Sequence, residues 1–447
     1  MKKLLLLTAL LSLYNVSAQN YYMSSPQGFG ASATGAGTPT ASNTVTVDTY
    51  TKLKAALTST ASSNAVILVS GTIDCVYTSV QLNNRTIIGL PGAKLRNLQI
   101  TPGDSPTSAT NSGTLYIKSG SNNVIIRNLI FEGPGAYDVD GRDNLTNEGT
   151  NIWVDHCEFQ DGMDGNFDNK GTADNVTVSW CKFTYLKAPT AGGSGGTDDH
   201  RFTDLVGSGA TDFPADGNYS ITFQNCYWAE GCKERMPRAR NAELHILNCY
   251  YKTSVSGSLA IGLGGGNKNT TCYVENSNFA TIGTVYKGYP TDGGTVGIAF
   301  DGCINQTNSN TGISKPTYTY TPLTATDVAT YIPNSTCGAG ATLNVTDTGV
   351  MSTSCTNLGL NDQTSNKNIK MYPTVVDTIL NIELPNTVSG DATINIYTST
   401  GEKAYSISKK TNPNEKLTIN VSNLPKGLYL CNIKIADFSN TWKFIKH

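Results

Sequence analysis

Acidic residues that could bind a metal ion are concentrated in one stretch of a chain that is otherwise poor in charge, since charged residues make up only 15% of it. Neighbouring carboxylates repel one another and are commonly held by a cation, and ligands that are all oxygen favour Ca²⁺ or Mg²⁺ over a transition metal. Flexible carboxylates on turns favour Ca²⁺, the larger ion. A series of turn-forming Asp residues is an equally open alternative. The residues are Asp138, Asp140, Asp143, Asp164 and Asp168, with only Arg142 and Lys170 as basic residues among them.

A second concentration of charge lies in residues 233–240, KERMPRAR. This segment contains Arg235, Arg238 and Arg240, and Pro237 stiffens the backbone between them. A guanidinium group presents a planar fork of N–H donors that matches a carboxylate. The segment therefore predicts a site for an anion, and a solvated basic loop is the alternative.

The remaining composition limits the classes of protein to which the chain could belong. Lys and Arg number 32 and Asp and Glu 34, a net charge of −2, which argues against a surface that binds nucleic acid. Glycine accounts for 44 of 447 residues, and a chain rich in Gly, Thr, Ser and Asn is typical of β-structure with many turns. Lys2 and Lys3 precede an apolar run and small residues up to Ala18, which predicts a signal peptide over 1–18 and a secreted protein.

Six segments in the middle of the chain share one pattern: positions one and three are apolar or Cys, position five is usually Asn, and position eight is aromatic. Their starts lie 23 to 28 residues apart except for one interval of 45, which we interpret as two periods with residues 205 and 206 at the missing rung. A fixed period of this size, with alternation inside each unit, predicts an all-β solenoid. We expect a right-handed, single-stranded parallel β-helix over 19–341. The segments start at Val124, Ile152, Val176, Ile221, Leu244 and Cys272.

Positions five and six of the repeat predict how each coil bends and fills. Asn fits a bend because its side chain bonds to the backbone and it tolerates unusual dihedral angles. Position six holds Cys157, Cys181, Cys226 and Cys249, which we interpret as small side chains that face the interior. Disulfides are the alternative, since export permits them.

The composition changes after residue 341. Residues 342–365 are rich in Thr, Ser, Asn and Asp without a sustained pattern, which predicts a linker. Over 366–447, short alternating segments separated by turn residues predict a small β-sandwich domain.

Four motifs of the solenoid, in this order, resemble the pectate lyase family, polysaccharide lyase family 1. They are NIWVDHC at 151–157, DGNFD at 164–168, VTVSW at 176–180 and RMPRAR at 235–240. The resemblance implies a right-handed parallel β-helix and Ca²⁺-dependent β-elimination of de-esterified polygalacturonate, which leaves an unsaturated sugar end. It also implies a pectate polysaccharide as the partner, and we expect a monomer.

The resemblance implies a role for individual residues. Asp164 and Asp168 match the two metal-binding acids of DGNFD, and Asp143 fits best as the third, with Asp140 and Asp138 as alternatives. Arg235 matches the catalytic base. Arg240 matches an arginine that holds a substrate carboxylate, with Arg238 beside it. Asp155 and His156 belong to a signature that we interpret as structural.

The chain departs from the family pattern at one place. Where the family usually has a substrate-binding lysine in a segment like DHDKT, this chain has DHRFT at 199–203. Phe202 takes the position of the lysine, and Arg201 beside it is a candidate to bind substrate instead. Neighbours on a strand point to opposite faces, so the preference for sugars at this subsite is open.

The C-terminal domain has a resemblance of its own. MYPT at 371–374, IYTSTG at 396–401, LPKGLY at 424–429 and KFIK at 443–446 are similar to the type A sorting domain of the type IX secretion system. This implies passage across an outer membrane by that machinery, followed by release or attachment at the cell surface. A carbohydrate-binding β-sandwich is the alternative.

Three other functions fit the same solenoid. A pectin lyase would act on methyl esters and would not need the acidic set. A polygalacturonase would hydrolyse with two carboxylates about 6.5–9.5 Å apart, for which Asp198 and Asp199 are candidates. A surface adhesin without catalytic activity is the third alternative.

Overall fold

The computed structural model describes residues 21–97, 111–137, 139, 141–193, 198–353, 369–385, 389–398, 402–435 and 438–447. The chain divides into two compact units, Met1–Cys355 and Thr356–His447. The predicted signal peptide lies outside the described residues, as do residues 354–365 of the predicted linker. Among the residues that the structure describes, neither α-helix has the length and hydropathy needed to cross a membrane.

The first unit is a solenoid of parallel strands. The strands are β1 (Thr44–Val47), β2 (Val66–Val69), β3 (Thr72–Cys75), β4 (Thr78–Val80), β5 (Asn83–Gly89), β6 (Lys94–Asn97), β7 (Leu115–Ile117), β8 (Asn122–Arg127), β9 (Ile130–Glu132), β10 (Leu145–Asn147), β11 (Thr150–Asp155), β12 (Glu158–Gln160), β13 (Phe167–Asn169), β14 (Asp174–Ser179), β15 (Lys182–Thr184), β16 (Leu205–Val206), β17 (Tyr219–Gln224), β18 (Tyr227–Trp228), β19 (Arg238–Ala239), β20 (Ala242–Leu247), β21 (Tyr250–Lys252), β22 (Leu259–Leu263), β23 (Thr270–Glu275), β24 (Asn278–Thr281), β25 (Thr284–Gly288) and β26 (Val296–Asp301).

These strands form three parallel sheets, which confirms the predicted β-helix class. Sheet 1 has the order β1-β2-β5-β8-β11-β14-β17-β20-β23-β26, sheet 2 has β4-β7-β10-β13-β16-β19-β22-β25, and sheet 3 has β3-β6-β9-β12-β15-β18-β21-β24. From β2 to β25 each coil therefore contributes one strand to each sheet. The repeat in the sequence follows the strands of sheet 1, because the strands of sheets 2 and 3 are mostly too short to show a period of their own.

The 45-residue interval is one coil and not two, so the predicted missing rung is wrong. Strand β14 pairs directly with β17, with Val176 opposite Ile221. Strand β16 belongs to sheet 2 of that same coil. The additional length lies in the connections on either side of β16, between β15 and β17.

Stacking of equivalent side chains fills the solenoid. Position eight of the repeat builds a ladder of aromatic rings with centroids 4.5–5.4 Å apart along sheet 3, and both the rings and the apolar positions one and three are buried. Position six holds buried free thiols, which confirms the prediction for Cys157, Cys181, Cys226 and Cys249. The ladder consists of Phe131, Phe159, Phe183, Trp228, Tyr251 and Phe279.

Position five forms the bend between sheets 1 and 3, as predicted. All six residues there have a positive φ between 46° and 57°, a region in which Asn is less strained than most residues. Two coils use His156 and Trp180 in place of Asn, and their rings stack with centroids 5.6 Å apart. The Asn residues are Asn128, Asn225, Asn248 and Asn276.

Two helices, which the sequence pattern does not predict, pack on the solenoid. Helix α1 (Tyr50–Thr58) begins at the N-cap Thr49 and packs on β1 to β4, and helix α2 (Ala325–Tyr331) buries Val328 beside Trp180. Short 3₁₀ turns span Phe29–Ser32, Ser62–Asn64 and Pro290–Asp292.

The start of the predicted linker is packed structure. Leu343 and Val345 are buried against Val66, Leu68 and Ile88 of sheet 1. Residues 342–353 therefore lie in the first compact unit.

The second unit contains two sheets, which confirms the predicted β-sandwich. One has the order β27-β29-β32 and the other β28-β34-β33-β30-β31, and they enclose a separate apolar core that includes Ile394 and Ile433. The strands are β27 (Lys370–Tyr372), β28 (Val375–Val376), β29 (Ile379–Glu383), β30 (Gly390–Thr398), β31 (Lys403–Thr411), β32 (Lys416–Asn420), β33 (Gly427–Ile435) and β34 (Phe438–Lys446).

We predict that His245 makes the solenoid less stable below neutral pH. Its imidazole is buried on sheet 1 and contacts Tyr318 at 2.6 Å, with Glu275, Lys315 and Tyr320 around it. Burial lowers the pKa of His245 to about 4 from the ordinary 6.5, although Glu275 opposes the shift. Between those pH values the unfolded chain binds a proton that the native chain does not. The free energy of unfolding should therefore be about 2 kcal/mol lower at pH 5 than at neutral pH.

Thermal denaturation between pH 7 and pH 4.5 tests this prediction. We expect His245→Gln to flatten the dependence of Tm on pH. An unchanged slope in the variant would contradict it, and His447→Gln, at the exposed C-terminus, is the control.

Candidate functional site

The residues that could do chemistry lie on the outer face of sheet 2. Successive side chains on a strand point to opposite faces, so one residue of each strand faces outward along the solenoid. We call these residues the outer row. The pairing of the strands aligns Ser79, Tyr116, Thr146, Asp168, Leu205, Arg238, Gly262 and Lys287 in it.

Three of the predicted acids come together beside this row and form the acid cluster: Asp143, Asp164 and Asp168. Each offers a carboxylate oxygen within 4.8 Å of the others. Gly165 leaves the space for them, because a Cβ there would lie 2.8 Å from Oδ1 of Asp143 and 3.0 Å from Oδ1 of Asp168. Asp140, which we also expected to bind metal, and its alternative Asp138 lie outside the described residues.

Two members of the acid cluster, Asp143 and Asp168, are buried, and the like charges of the cluster repel one another. The hydroxyl of Thr146 donates to Oδ2 of Asp143 at 2.8 Å, while Oδ1 of Asp143 is buried without a hydrogen-bond partner among the described residues. Burial, and then the charges of Asp168 and Asp164, raise the pKa of Asp143 well above its usual value. Burial and the charge of Asp164 raise the pKa of Asp168 to about 7.

Asp164 is the member of the cluster that is held ionised. Nε2 of His200 contacts its Oδ1 at 2.8 Å, and Nη1 of Arg235 lies 3.9 Å from the same oxygen. Burial opposes ionisation, but these two partners lower the pKa of Asp164 below its ordinary value. The charges of the cluster also raise the pKa of Lys170 against the effect of burial.

The donor set fits a hard divalent cation. All three side chains offer carboxylate oxygens, and among the described residues no Cys or His belongs to the set. A cation would also give the unpartnered oxygen of Asp143 a ligand and offset the repulsion among the carboxylates. The residues present therefore fit a hard divalent cation, the class to which Ca²⁺ belongs.

Arg235 lies at the border between the acid cluster and the arginine segment. Its backbone has a φ of 60°, and the backbone N–H of Asp204 donates to its carbonyl at 2.7 Å. Its guanidinium carbon is 4.7 Å from the centre of the Phe202 ring, which also contacts His200 at 4.1 Å. The side chain is thus held between a carboxylate and an aromatic ring, at the edge of a groove.

Asp292 organises the other two arginines. Nε of Arg240 donates to Oδ2 of Asp292 at 2.9 Å, and Nη2 of Arg238 donates to the same oxygen. Arg238 is buried, with its guanidinium carbon 3.7 Å from the centre of the Tyr289 ring. Arg240 is the more exposed of the two and also bonds the carbonyl of Gly207 at 3.2 Å.

The groove in front of these side chains has a volume of about 350 Å³. Its lining combines three arginines with aromatic and apolar side chains and includes two acidic residues, of which Asp292 is paired with arginines. This mixture suits an acidic ligand that also has apolar faces. Its lining comprises Phe202, Leu205, Ser208, Glu234, Arg235, Arg238, Arg240, Tyr289 and Asp292.

Arg201, which we expected as a substitute for the lysine, is engaged elsewhere. Its guanidinium makes two hydrogen bonds of 2.7 Å to Asp199, which also pairs with Lys233 at 3.3 Å. Arg201 does not line the groove, whereas Phe202 does. Neighbouring residues on a nearly extended chain point apart, and here the aromatic residue faces the site.

Asp155 and His156 form a buried network on sheet 1. Oδ2 of Asp155 pairs with Arg127 at 2.7 Å and with Nδ1 of His156 at 2.9 Å, and Oδ1 accepts from Ser179 at 2.6 Å. These contacts agree with the structural interpretation of the signature, because the network ties three consecutive coils together.

Sequence reasoning missed Asp292, Tyr289 and His200. Asp292 and Tyr289 follow β25, two coils and about 50 residues beyond the arginines they contact, so spacing gave no signal. His200 was visible as one of only four histidines in a chain poor in titratable groups.

Comparison with known proteins identifies the family. Residues 2–368 match the family model described as pectate lyase. The chain belongs to the pectate lyase family. Residues 370–447 match the secretion system C-terminal sorting domain, which indicates export to the cell surface or the medium.

Relatives support this membership. The chain is 34% identical over 218 residues to a pectate trisaccharide-lyase of Thermotoga maritima, covering 45% of this chain and 50% of that protein. It is 30% identical over 278 residues to a pectate trisaccharide-lyase of Bacillus licheniformis, covering 58% and 72%. The chain thus spans about half the length of the first of these relatives.

A solved structure shares the fold. A pectate lyase from Paenibacillus sp. 0602 superposes with a TM-score of 0.53 at 18% identity, covering 72% of this chain and 97% of that one. At this identity the likeness concerns the β-helix alone.

We predict that Asp168→Asn stabilises the pectate lyase unit when divalent cations are removed. The substitution takes one charge out of the buried acid cluster, and Oδ1 of Asn can still accept the bond that the N–H of Leu205 gives at 2.9 Å. We expect the substitution to raise the free energy of unfolding by about 1 kcal/mol in chelator at pH 8. We also expect added calcium to raise the Tm of the variant less than the Tm of the wild type. Calorimetry of both proteins checks this, with Asp48→Asn, on the surface, as the control. Equal calcium-dependent shifts in variant and wild type would contradict the metal site.

Proposed function

We propose that this family member is a Ca²⁺-dependent pectate lyase that cleaves de-esterified polygalacturonate by β-elimination. The observation that carries the proposal is that three carboxylates, two of them buried, meet Arg235 on the outer face, where Nη1 of Arg235 lies 3.9 Å from Oδ1 of Asp164. A group of carboxylates that could bind a metal thus lies next to a basic side chain, and that side chain lines a groove together with Arg240.

Substrate binding rests on charge and shape. Asp143, Asp164 and Asp168 would hold calcium, which when bound polarises a substrate carboxylate as a Lewis acid and favours loss of the neighbouring proton. Arg240 is fixed by Asp292 and Gly207, so it presents its remaining N–H donors to a second carboxylate without first being ordered. Arg238 supports Arg240 from a buried position.

Elimination needs a proton acceptor at C5 of the uronate. Arg235 accepts this proton, the electron pair forms the double bond between C4 and C5, and the bond from C4 to the leaving oxygen breaks. The leaving oxygen takes a proton from water. Because arginine is ordinarily protonated at neutral pH, this role predicts a rate that rises towards alkaline pH.

The contacts favour elimination over hydrolysis. A hydrolase needs two carboxylates with water between them. Asp199, one candidate for that pair, is bonded to Arg201 and Lys233. The acid cluster and the arginines would also have no role in a pectin lyase that acts on uncharged esters, or in an adhesin.

Incubation with polygalacturonate, with and without a chelator, tests the proposal. We expect an unsaturated product, detected by ultraviolet absorbance, that is lost in chelator and restored by calcium. Reducing ends without absorbance would indicate hydrolysis, and equal rates on fully methylated pectin would indicate a pectin lyase.

We predict that Arg235→Lys reduces turnover by about a hundredfold or more and leaves the fold intact. Lysine keeps the charge but loses the planar fork and the position of the accepting nitrogen. Initial rates and circular dichroism measure the two effects. Arg96→Lys, at a half-exposed ion pair with Asp74, is the matched control. Substantial activity in Arg235→Lys would remove Arg235 from the role of base.

Export is proposed to run through the type IX machinery. The second unit matches the sorting domain and has an apolar core distinct from that of the solenoid. Deleting residues 366–447 should therefore leave lyase activity in the purified protein and retain the chain in the periplasm of its native host. Immunoblots of cell fractions check this, and normal release of the truncated chain would contradict it.

A further inference from the structure

On the side of the acid cluster away from the arginines, the outer row of sheet 2 continues to Tyr116, and Tyr77 lies close to Tyr116. Tyr116 is in register with Thr146, whose hydroxyl bonds Asp143. Adjacent strands lie about 4.8 Å apart, so Tyr116 is one rung from the cluster. Tyr77 comes directly before β4, the next rung, and its ring centre is 6.3 Å from that of Tyr116.

We propose that Tyr77 and Tyr116, the tyrosine platform, form a further subsite that binds additional uronic acid residues of a long oligogalacturonate. The inference rests on the proposed function and extends it to the length of the bound chain. A linear polymer that occupies the arginine groove and passes over the acid cluster would continue, beyond the cluster, across these two rings.

The backbone joins the platform directly to the acid cluster. Gly113 lies between them, and a Cβ there would be 3.0 Å from the Tyr77 ring, 3.2 Å from Cβ of Arg142 and 2.7 Å from the carbonyl oxygen of Asp143. Only glycine lets these three groups approach so closely. The platform is therefore built against the same loop that supplies an acid of the cluster.

Charge around the platform matches an acidic sugar chain. The guanidinium carbon of Arg142 lies 3.9 Å from the centre of the Tyr77 ring, and Tyr77 is also within the field of Lys170. Among the described residues, Glu148 is a further carboxylate that lies close to the side chain of Tyr116 and to Lys170. Both side chains remain half-buried, so part of each ring is exposed to a sugar, although one face of Tyr77 lies against Arg142.

Cleavage of oligogalacturonates of increasing length tests the proposal. In Tyr116→Ala we expect kcat/KM to fall about fivefold on long chains and less than about twofold on the shortest oligomer that is cleaved, through KM rather than kcat. Tyr116→Phe keeps the ring and should restore the rate on long chains. Tyr227→Ala is the matched control, because Tyr227 makes a similar tilted pair with Tyr250 on sheet 3, with centres 5.4 Å apart.

The outcomes distinguish a failure of the tyrosine platform from a failure of the proposed function. A loss confined to long chains and rescued by Phe supports the platform. An active wild-type chain whose Tyr116→Ala variant loses equally on long and short oligomers, or loses nothing, overturns the platform alone. A wild-type chain that cleaves no oligogalacturonate overturns the proposed function and the platform with it.

Discussion

The in-register pairing of parallel strands from coil to coil is the constraint on which the rest of this structure depends. Pairing in register places equivalent residues of successive coils about 4.8 Å apart. Inside the solenoid this spacing lets aromatic rings stack from Phe131 to Phe279. Outside it, the same spacing brings Thr146, Asp168, Leu205 and Arg238 into one row. The same strand pairing therefore determines both the packing of the core and the position of the site residues.

This arrangement explains how three carboxylates can be held within 4.8 Å of one another without collapse of the site. The cost of burying like charges is local, while the stacked core that resists it extends over the whole first unit. The loops add what the strands do not supply: Gly165 leaves the space, and His200 and Arg235 balance the charge of Asp164. A rigid frame thus keeps a cluster that a flexible chain would spread apart.

The sequence allowed prediction of features that follow from side-chain pattern within one coil. Asn at position five and the buried cysteines were predictable because bends and interiors select residue types locally. Strands of two or three residues, such as β16, show no period, so sheets 2 and 3 could not be predicted. A long connection was mistaken for a missing coil, since spacing alone does not distinguish the two. The link from Asp292 to Arg240 joins separate coils, and the single sequence gave no signal of it.

Phe202 stands where the resemblance to the family leads us to expect a lysine. Its ring packs against Arg235 and His200, so this position contributes an apolar contact to the site. Leu205 follows it in the groove and extends the apolar side. Positive charge lies at Arg235, beside Asp164, and at Lys170 and Arg142, near Tyr77. The proposed ligand, a linear chain of uronic acids, carries anionic groups and ring faces that match this mixture of cations and apolar side chains.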